Sequence, residues 1–144
     1  MPPQSPLFGS SNAQPRPAAR LRIVVADDDR DTVLTLTALL RDEGHEVRGL
    51  HDGGEVLDAM RECDPDAVIL DIAMPGRSGF DLAKHIKQAR CEQKRPLIIG
   101  ISGVYKQSAD KILAKIVGFD KFLIKPYDIE AVLAALSPLT SLGR

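Results

Sequence analysis

Four short apolar runs each end at a polar residue, and this pattern constrains the fold of the 144-residue chain more than any other feature. The runs and the residues that end them are 23–26 before Asp27-Asp28-Asp29, 67–70 before Asp71, 97–101 before Ser102 and 122–124 before Lys125. Each run has the length and composition of a strand that is buried on both faces of a sheet. The pattern therefore predicts a parallel sheet whose chemically active side chains gather at one edge.

Amphipathic segments separate the apolar runs and predict helices. A more polar run at 46–50 is a further strand, so the predicted strands are 21–26, 46–50, 67–70, 97–101 and 121–124. The predicted helices are roughly 30–43, 55–62, 80–90 and 109–117, and a last helix begins at 129 and ends near Pro138. The first helix carries Val33, Leu36, Leu39 and Leu40 on one face, and Asp29 is placed to cap it. The alternation predicts an α/β fold: a doubly wound, five-stranded parallel sheet that binds ligands at the carboxyl ends of its strands.

Composition excludes several classes of function. A net charge of −1 gives no electrostatic basis for direct nucleic-acid contact, and no apolar run is long enough for insertion into a membrane. The start of the chain lacks the features of a signal peptide, so we expect a cytoplasmic protein. Residues 1–19 are rich in Pro and Ser and predict a disordered tail or linker before a folded domain at 20–140. Cys63 and Cys91 are expected to be unreactive thiols, with a disulfide as the less favoured alternative.

Three carboxylates are predicted to meet at the functional edge. Asp27 and Asp28 follow the first strand and Asp71 follows the third, so these side chains converge if the two strands are neighbours. Converging carboxylates repel one another, and a divalent cation such as Mg2+, which prefers oxygen ligands, neutralises this repulsion. The alternative is an acidic loop in which Asp29 only caps a helix. The matching Asp71 one βαβ unit later disfavours that alternative.

Asp71 is then the candidate nucleophile, because a carboxylate can accept a phosphoryl group as an acyl phosphate. Phosphoryl transfer mainly needs in-line positioning and neutralisation of the phosphoryl oxygens. Lys125 can supply a compact positive charge, and Ser102 can donate a hydrogen bond from its hydroxyl. Taken alone, each of these two residues is more typical of an ordinary turn, but the place of Lys125 at the edge of the sheet favours the functional interpretation.

Four segments together resemble the receiver domain of two-component response regulators. They are Val24-Val25-Ala26-Asp27-Asp28-Asp29, Ile69-Leu70-Asp71-Ile72-Ala73-Met74-Pro75-Gly76, Ile101-Ser102-Gly103 and Phe122-Leu123-Ile124-Lys125-Pro126-Tyr127. The resemblance extends over about residues 21–138. It implies a flavodoxin-like (βα)5 fold with the strand order 2-1-3-4-5.

The resemblance also implies a role for each acidic residue. Asp71 corresponds to the phosphoacceptor, and Asp27 and Asp28 correspond to the acidic pair that organises Mg2+. Asp71 itself and the backbone carbonyl of Ala73 would be further ligands of the ion. The activity implied is a self-catalysed phosphoryl transfer and autodephosphorylation in a signalling protein, without turnover of an external substrate.

Ser102 and Phe122 correspond to the conformational switch of the family. Ser102 and Lys125 would contact the phosphoryl group, and the bond between Lys125 and Pro126 is expected to be cis. Phe122 stands at the aromatic switch position, where a tyrosine is common, so no hydroxyl is available there. The alternative for Phe122 is an ordinary core aromatic. Switching would remodel the face formed by the fourth predicted helix, the fifth strand and the fifth helix.

The partners implied are a histidine kinase or a histidine phosphotransfer protein, and a downstream effector protein or adjoining domain. Leu34 and Ala38 on the first helix are candidates for docking the former, or are ordinary boundary residues. The lysines at 106, 111 and 115 are a solvated edge or a surface for an acidic partner. In this family the side chains two residues after the phosphoacceptor and two residues after the Ser/Thr position influence hydrolysis of the acyl phosphate. Here they are Ala73 and Val104, which have no polar group to orient a water molecule. The chain is expected to be a stand-alone receiver or part of a larger protein such as a hybrid kinase.

Two other functions remain as alternatives. A Mg2+-dependent phosphohydrolase would use Asp27 and Asp29, which have D-x-D spacing, but this leaves Asp71 and Lys125 unexplained. A degenerate receiver that acts only as a binding module is disfavoured because every key position carries a suitable residue.

Overall fold

The computed structural model describes residues 20–72, 79–89, 96–102 and 118–142. Its strands are β1 (Arg22–Ala26), β2 (Glu46–Leu50), β3 (Ala67–Asp71), β4 (Leu97–Ser102) and β5 (Lys121–Ile124), and its helices are α1 (Arg30–Asp42), α2 (Gly53–Cys63), α3 (Gly79–Ala89) and α4 (Ile129–Leu142). The strands form one parallel sheet in the order β2-β1-β3-β4-β5. The predicted doubly wound α/β fold and its strand order are confirmed. The proposed tail at 1–19 and the helix predicted at 109–117 lie outside the described residues.

The sheet is buried on both faces, which explains why its central strands are apolar except at their ends. Since side chains alternate along a strand, successive residues enter opposite cores. Val24, Val68 and Ile98 lie on the face covered by α2 and α3, which we call the α2/α3 face. Ile69 and Ile99 lie on the opposite α1/α4 face. All five residues of β3 are buried, including its last residue, so the central strand brings an aspartate into a mostly apolar environment.

Side-chain caps and turn residues fix where each helix begins and ends. Asp29 caps α1 by accepting hydrogen bonds from the backbone N–H of Asp31 and the hydroxyl of Thr32. Gly44 then takes a φ of +98°, which suits the turn into β2. Asp52 caps α2 in the same manner as Asp29 caps α1. These local devices hold the loops at the carboxyl ends of β1 and β2 in place.

The last helix does not stop near Pro138, as the sequence predicts, but continues to Leu142. Proline removes one helical hydrogen bond, to the carbonyl of Ala134. Ala134 lies on the exposed face of the helix, and Leu139 beyond the proline packs against the core of the α1/α4 face. Packing of the following turn therefore outweighs the local preference of proline.

The buried stripe of α1 also differs from the prediction at two positions, Thr37 and Leu39. Val33, Leu36, Thr37 and Leu40 are buried, whereas 39% of Leu39 is exposed. The buried positions follow helical spacing, and Leu39 lies beside that stripe. Among the described residues, no helix has the length and apolar character needed to cross a membrane.

Candidate functional site

The carboxyl ends of β1 and β3 bring three acidic side chains together. The two strands are neighbours with Ala26 opposite Leu70, so Asp27 and Asp71 leave the sheet side by side. One carboxylate oxygen from each of Asp27, Asp28 and Asp71 lies within 4.8 Å of the other two. Asp27 and Asp71 are buried, and Asp28 is exposed to solvent. The convergence predicted for these residues is therefore present in the structure.

The carboxylate of Asp27 is held in a fixed orientation. Its Oδ1 accepts a hydrogen bond of 2.9 Å from the backbone N–H of Asp29. Its Oδ2 lies 2.9 Å from the Nζ of Lys125, and among the described residues this oxygen has no other donor. The backbone N–H of Asp27 donates to the carbonyl of Leu50 and ties the loop to β2. Asp27 therefore joins the β1 loop to the residue that ends β5.

Lys125 is the cation that the structure brings to this cluster. Its Nζ lies 3.5 Å from Asp71 Oδ2, in addition to its contact with Asp27. The Lys125–Pro126 bond is cis, and the backbone N–H of Lys125 donates to the carbonyl of Ser102. Burial alone would lower the pKa of Lys125, but the hydrogen bond to Asp27 and the charges of Asp27 and Asp71 outweigh it and raise that pKa. The ammonium group is therefore charged at neutral pH.

The charge balance of the cluster is consistent with a divalent cation. Among the residues that the structure describes, the ammonium group of Lys125 faces three carboxylates, so negative charge is in excess in a largely buried place. An oxygen-only donor set of this kind suits Mg2+, which takes one or two carboxylates and keeps several waters. Exposure of Asp28 gives such an ion access from solvent. The fourth expected ligand, the carbonyl of Ala73, lies outside the described residues.

Ser102 and Phe122 lie on the side of Asp71 away from β1. Asp71 is opposite Ile101, so Ser102 is the next residue beyond the phosphoacceptor candidate on the neighbouring strand. Ser102 is buried, and Phe122 on β5 is partly buried against the core of the α2/α3 face. This position of Phe122 is compatible with a switch residue and with an ordinary core aromatic.

Tyr127 lies beside the site, although the sequence assigns it no role. Burial, and then the charge of Asp27, raise the pKa of Tyr127, while Lys125 opposes them and Asp71 adds to them. Its phenol therefore stays protonated and available as a donor at neutral pH. The only sequence signal was a hydroxyl-bearing aromatic directly after Lys125-Pro126.

An open groove of about 650 Å³ begins at Lys125 and runs along α1. Its lining includes Thr32, Leu36, Leu39, Lys125, Tyr127 and Ile129. On the same helix, Leu34 is 67% exposed, and Ala38 is exposed as well. The two residues proposed for docking thus lie on the solvent side of α1, but neither of them lines this α1 groove, whereas the partly exposed Leu39 does.

Asp29, the second aspartate of the D-x-D spacing, does not join the acidic cluster. It is exposed and caps α1. The hydrogen bond from Thr32 lowers the pKa of Asp29, although desolvation opposes this. Asp29 therefore has a structural role, and the phosphohydrolase alternative loses one of its two catalytic aspartates.

Comparisons with known proteins agree with this geometry. The response regulator receiver domain family matches residues 23–137. Protein PilH of Pseudomonas aeruginosa is 33% identical over 116 residues, which cover 81% of this chain and 94% of PilH. The DNA-binding response regulator MtrA of Mycolicibacterium paratuberculosis is 32% identical over 115 residues, which cover 80% of this chain and 49% of MtrA. The chain thus spans nearly all of PilH and about half of MtrA.

Solved structures show the same fold. The chemotaxis protein CheY4 of Vibrio cholerae is 26% identical with a TM-score of 0.76, over 84% of this chain and 99% of that protein. The receiver domain of Ssk1 from Saccharomyces cerevisiae, in a complex with the phosphotransfer protein Ypd1, has a TM-score of 0.80 at 18% identity, over 88% of this chain and 93% of that structure's chain. The sheet order, the acidic edge and the family match agree, and the chain belongs to the receiver domains of two-component response regulators.

Proposed function

We propose that this receiver domain accepts a phosphoryl group on Asp71 in a Mg2+-dependent reaction and transmits the signal through a conformational switch. The observation that carries the proposal is the convergence of three carboxylates within 4.8 Å, with the Lys125 ammonium 3.5 Å from Asp71. Such a buried excess of like charge is typical of a functional site, because it brings no gain to folding.

Asp71 is the favoured phosphoacceptor because of its place in the sheet. β3 lies between β1 and β4, so functional groups reach Asp71 from both sides. Asp27 and Asp28 approach from β1, and Ser102 approaches from β4. Asp27 is a poorer candidate, since both of its oxygens are already engaged by Asp29 and Lys125.

The bound ion would be held by Asp27, Asp28, Asp71 and the backbone carbonyl of Ala73. Mg2+ would neutralise part of the negative charge on the phosphoryl oxygens during transfer. Lys125 would then contact the phosphoryl oxygen on the other side, for which its raised pKa keeps it charged.

The switch would follow from the new charge on Asp71. The hydroxyl of Ser102 and the ammonium of Lys125 bind the phosphoryl oxygens, and movement of Ser102 leaves space that Phe122 fills. The surface around β5 and the helices beside it then changes shape for a downstream effector protein or an adjoining domain. Phosphorylation shifts this equilibrium only by its differential affinity for the two states, commonly ~1–3 kcal/mol.

The proposed phosphodonor is a histidine kinase or a histidine phosphotransfer protein that docks a helix in the α1 groove. Leu39, which lines the groove and is 39% exposed, provides an apolar contact there, and the groove reaches Lys125 beside the acidic cluster. The complex of Ypd1 with the Ssk1 receiver shows that a domain of this fold accepts such a partner. In this pathway the domain acts in the cytoplasm without direct contact to nucleic acid.

Acetyl phosphate provides a direct test. With Mg2+ it should label the protein once, and the label should be stable in acid and labile in base, as an acyl phosphate is. Asp71→Asn should abolish the label, and a chelator should prevent it. Asp58→Asn is the matched control, because Asp58 is an exposed carboxylate on α2 that pairs with Arg61.

Labelling that persists in Asp71→Asn, or that ignores the chelator, would contradict the proposal. Sustained turnover of an aryl phosphate would instead favour the phosphohydrolase, and no labelling under any condition would favour a degenerate receiver. Each alternative therefore has its own outcome in the same assay.

A further inference from the structure

Phe119 contacts the proposed switch residue directly. The rings of Phe119 and Phe122 form an edge-to-face pair, with centroids 6.5 Å apart and an interplanar angle of 78°. Phe119 is only 5% exposed and belongs to the core of the α2/α3 face, whereas Phe122 is partly buried at its margin. One ring of the pair is thus deep in the core and the other lies closer to solvent.

Phe119 occupies space that a missing side chain on β4 provides. A Cβ atom added to Gly100 would lie 2.9 Å from both Cδ1 and Cε1 of Phe119 and 3.3 Å from its Cζ. Such distances are far inside van der Waals contact, so Phe119 can lie against the sheet only because residue 100 is a glycine. Gly100 is also the cross-strand neighbour of Phe122, which places both rings on the same face of the sheet.

The backbone that carries Phe119 is fixed to β4 on one side. Asp120 accepts a hydrogen bond of 2.8 Å from the backbone N–H of Ile98 through its Oδ2, and its own N–H donates to the carbonyl of Ile98. On the other side, Gly118 adopts a φ of +113°. The backbone at Phe119 is therefore held against β4, and the buried ring packs over Gly100.

Movement of Phe122 toward Ser102 would separate the two rings. Ser102 lies two residues beyond Gly100, and since side chains alternate it is on the same face of β4. Phe119 covers Gly100, so the path toward Ser102 leads Phe122 away from it. The edge-to-face contact is thus present in the structure, and a movement of Phe122 toward Ser102 would break it.

We infer that Phe119 is a positioning residue that holds Phe122 in the unswitched state and so sets the threshold for activation. The inference rests on the proposed function, because it concerns the equilibrium that phosphorylation of Asp71 would shift. Removing the Phe119 ring should raise the population of the switched state. A ligand that favours that state should then bind more tightly.

Phe119→Leu tests this with beryllofluoride, a phosphoryl mimic that has been used to activate a related receiver domain. With Mg2+ present, the variant should bind beryllofluoride about 2- to 10-fold more tightly than the wild type, as expected for loss of one aromatic pair. The chain has four phenylalanines, so a sample labelled with 13C in phenylalanine gives few ring signals. The signals of Phe122, assigned with Phe122→Leu, should already lie nearer their beryllofluoride-bound positions in Phe119→Leu before any ligand is added.

Two further variants separate a positioning role from loss of core packing. Ile98 belongs to the same core as Phe119 and lies on β4, the strand that carries Gly100. Ile98→Val should lower the melting temperature without changing beryllofluoride affinity or the Phe122 signals. The double variant with Phe119→Leu and Phe122→Leu should bind beryllofluoride as Phe122→Leu alone does. Unchanged or weaker binding by Phe119→Leu, with a normal wild-type response, would overturn the inference alone. Absence of any Mg2+-dependent response in the wild type would overturn the proposed function and this inference together.

Discussion

The two ends of the strands differ in how their polar side chains are arranged. At the amino ends, three polar side chains accept hydrogen bonds from the backbone of a strand or of the residue before it: His45 Nδ1 from Leu21 at 3.0 Å, Asp66 Oδ2 from Arg22 at 2.8 Å and Asp120 Oδ2 from Ile98 at 2.8 Å. These acceptors lie apart from one another on different loops. Each therefore satisfies one N–H group that the parallel ladder leaves unpaired.

At the carboxyl ends, by contrast, the acidic groups are concentrated in one place. Asp27, Asp28 and Asp71 lie together, and within the described part of the chain the ammonium group of Lys125 contacts Asp27 and Asp71. Hydrogen-bonding needs of the strands do not explain this arrangement, and mutual repulsion opposes it. The comparison shows that the amino end is arranged for stability, while the carboxyl end carries an unfavourable arrangement that binding of an ion and a phosphoryl group would relieve.

The largest effect on stability should come from the amino end. Asp120→Ala removes the acceptor of the buried Ile98 N–H, and an unsatisfied buried donor costs about 2 kcal/mol. Urea unfolding followed by circular dichroism should show this loss. Asp58→Ala removes the same charge from an exposed position and should change stability by less than about 0.5 kcal/mol. Equal effects of the two variants would mean that the hydrogen bonds at the amino end contribute little.

A smaller change of opposite sign should follow at the carboxyl end. Without Mg2+, Asp71→Asn should raise the free energy of unfolding by about 1 kcal/mol, since it removes one of three neighbouring negative charges. Mg2+ should stabilise the wild type, which binds the ion only when folded, and should stabilise the variant much less. Destabilisation by Asp71→Asn in the absence of Mg2+ would show that the acidic cluster is needed for folding, and the contrast between the two ends would fail.

Much of the carboxyl end could be predicted from the sequence because its signals are local. An apolar run identifies a buried strand, and the residue after the run lies at the edge of the sheet. Asp71 and Lys125 were identified in this way, and the neighbouring positions of β1 and β3 then bring the aspartates together. Burial of both sheet faces leaves few other places where a charged residue after a strand can go.

Features that depend on packing between distant segments could not be predicted in this way. The contact of Phe119 with Phe122 requires Gly100 on another strand, and the α1 groove requires Tyr127 to lie opposite α1. The role of Asp120 as an acceptor for β4 leaves no mark in the sequence. The continuation of α4 beyond Pro138 shows the same limit, because packing of the next turn overrides the tendency of proline to end a helix.

The smallest expected effect is a dependence of stability on pH at the amino end, and it depends on His45. Its Nδ1 accepts the hydrogen bond from Leu21, so the folded state needs an unprotonated Nδ1. Burial, assisted by the charge of Arg20 and opposed by that of Glu43, lowers the pKa of His45 below its usual 6.5. The unfolded state therefore binds this proton at a higher pH than the folded state does.

Stability should consequently fall as the pH drops below about 6.5, the unperturbed value for histidine, and the loss should level off below the folded-state pKa. Urea unfolding between about pH 7.5 and 5.5 would measure the loss, with carboxylates contributing equally to all variants compared. His45→Gln keeps an acceptor for Leu21 without the titration, so it should lose less stability over this range than the wild type. His85→Gln, at an exposed position on α3, should behave as the wild type does. A loss in His45→Gln as large as in the wild type would show that the buried histidine at the amino end is not what makes the fold sensitive to acid.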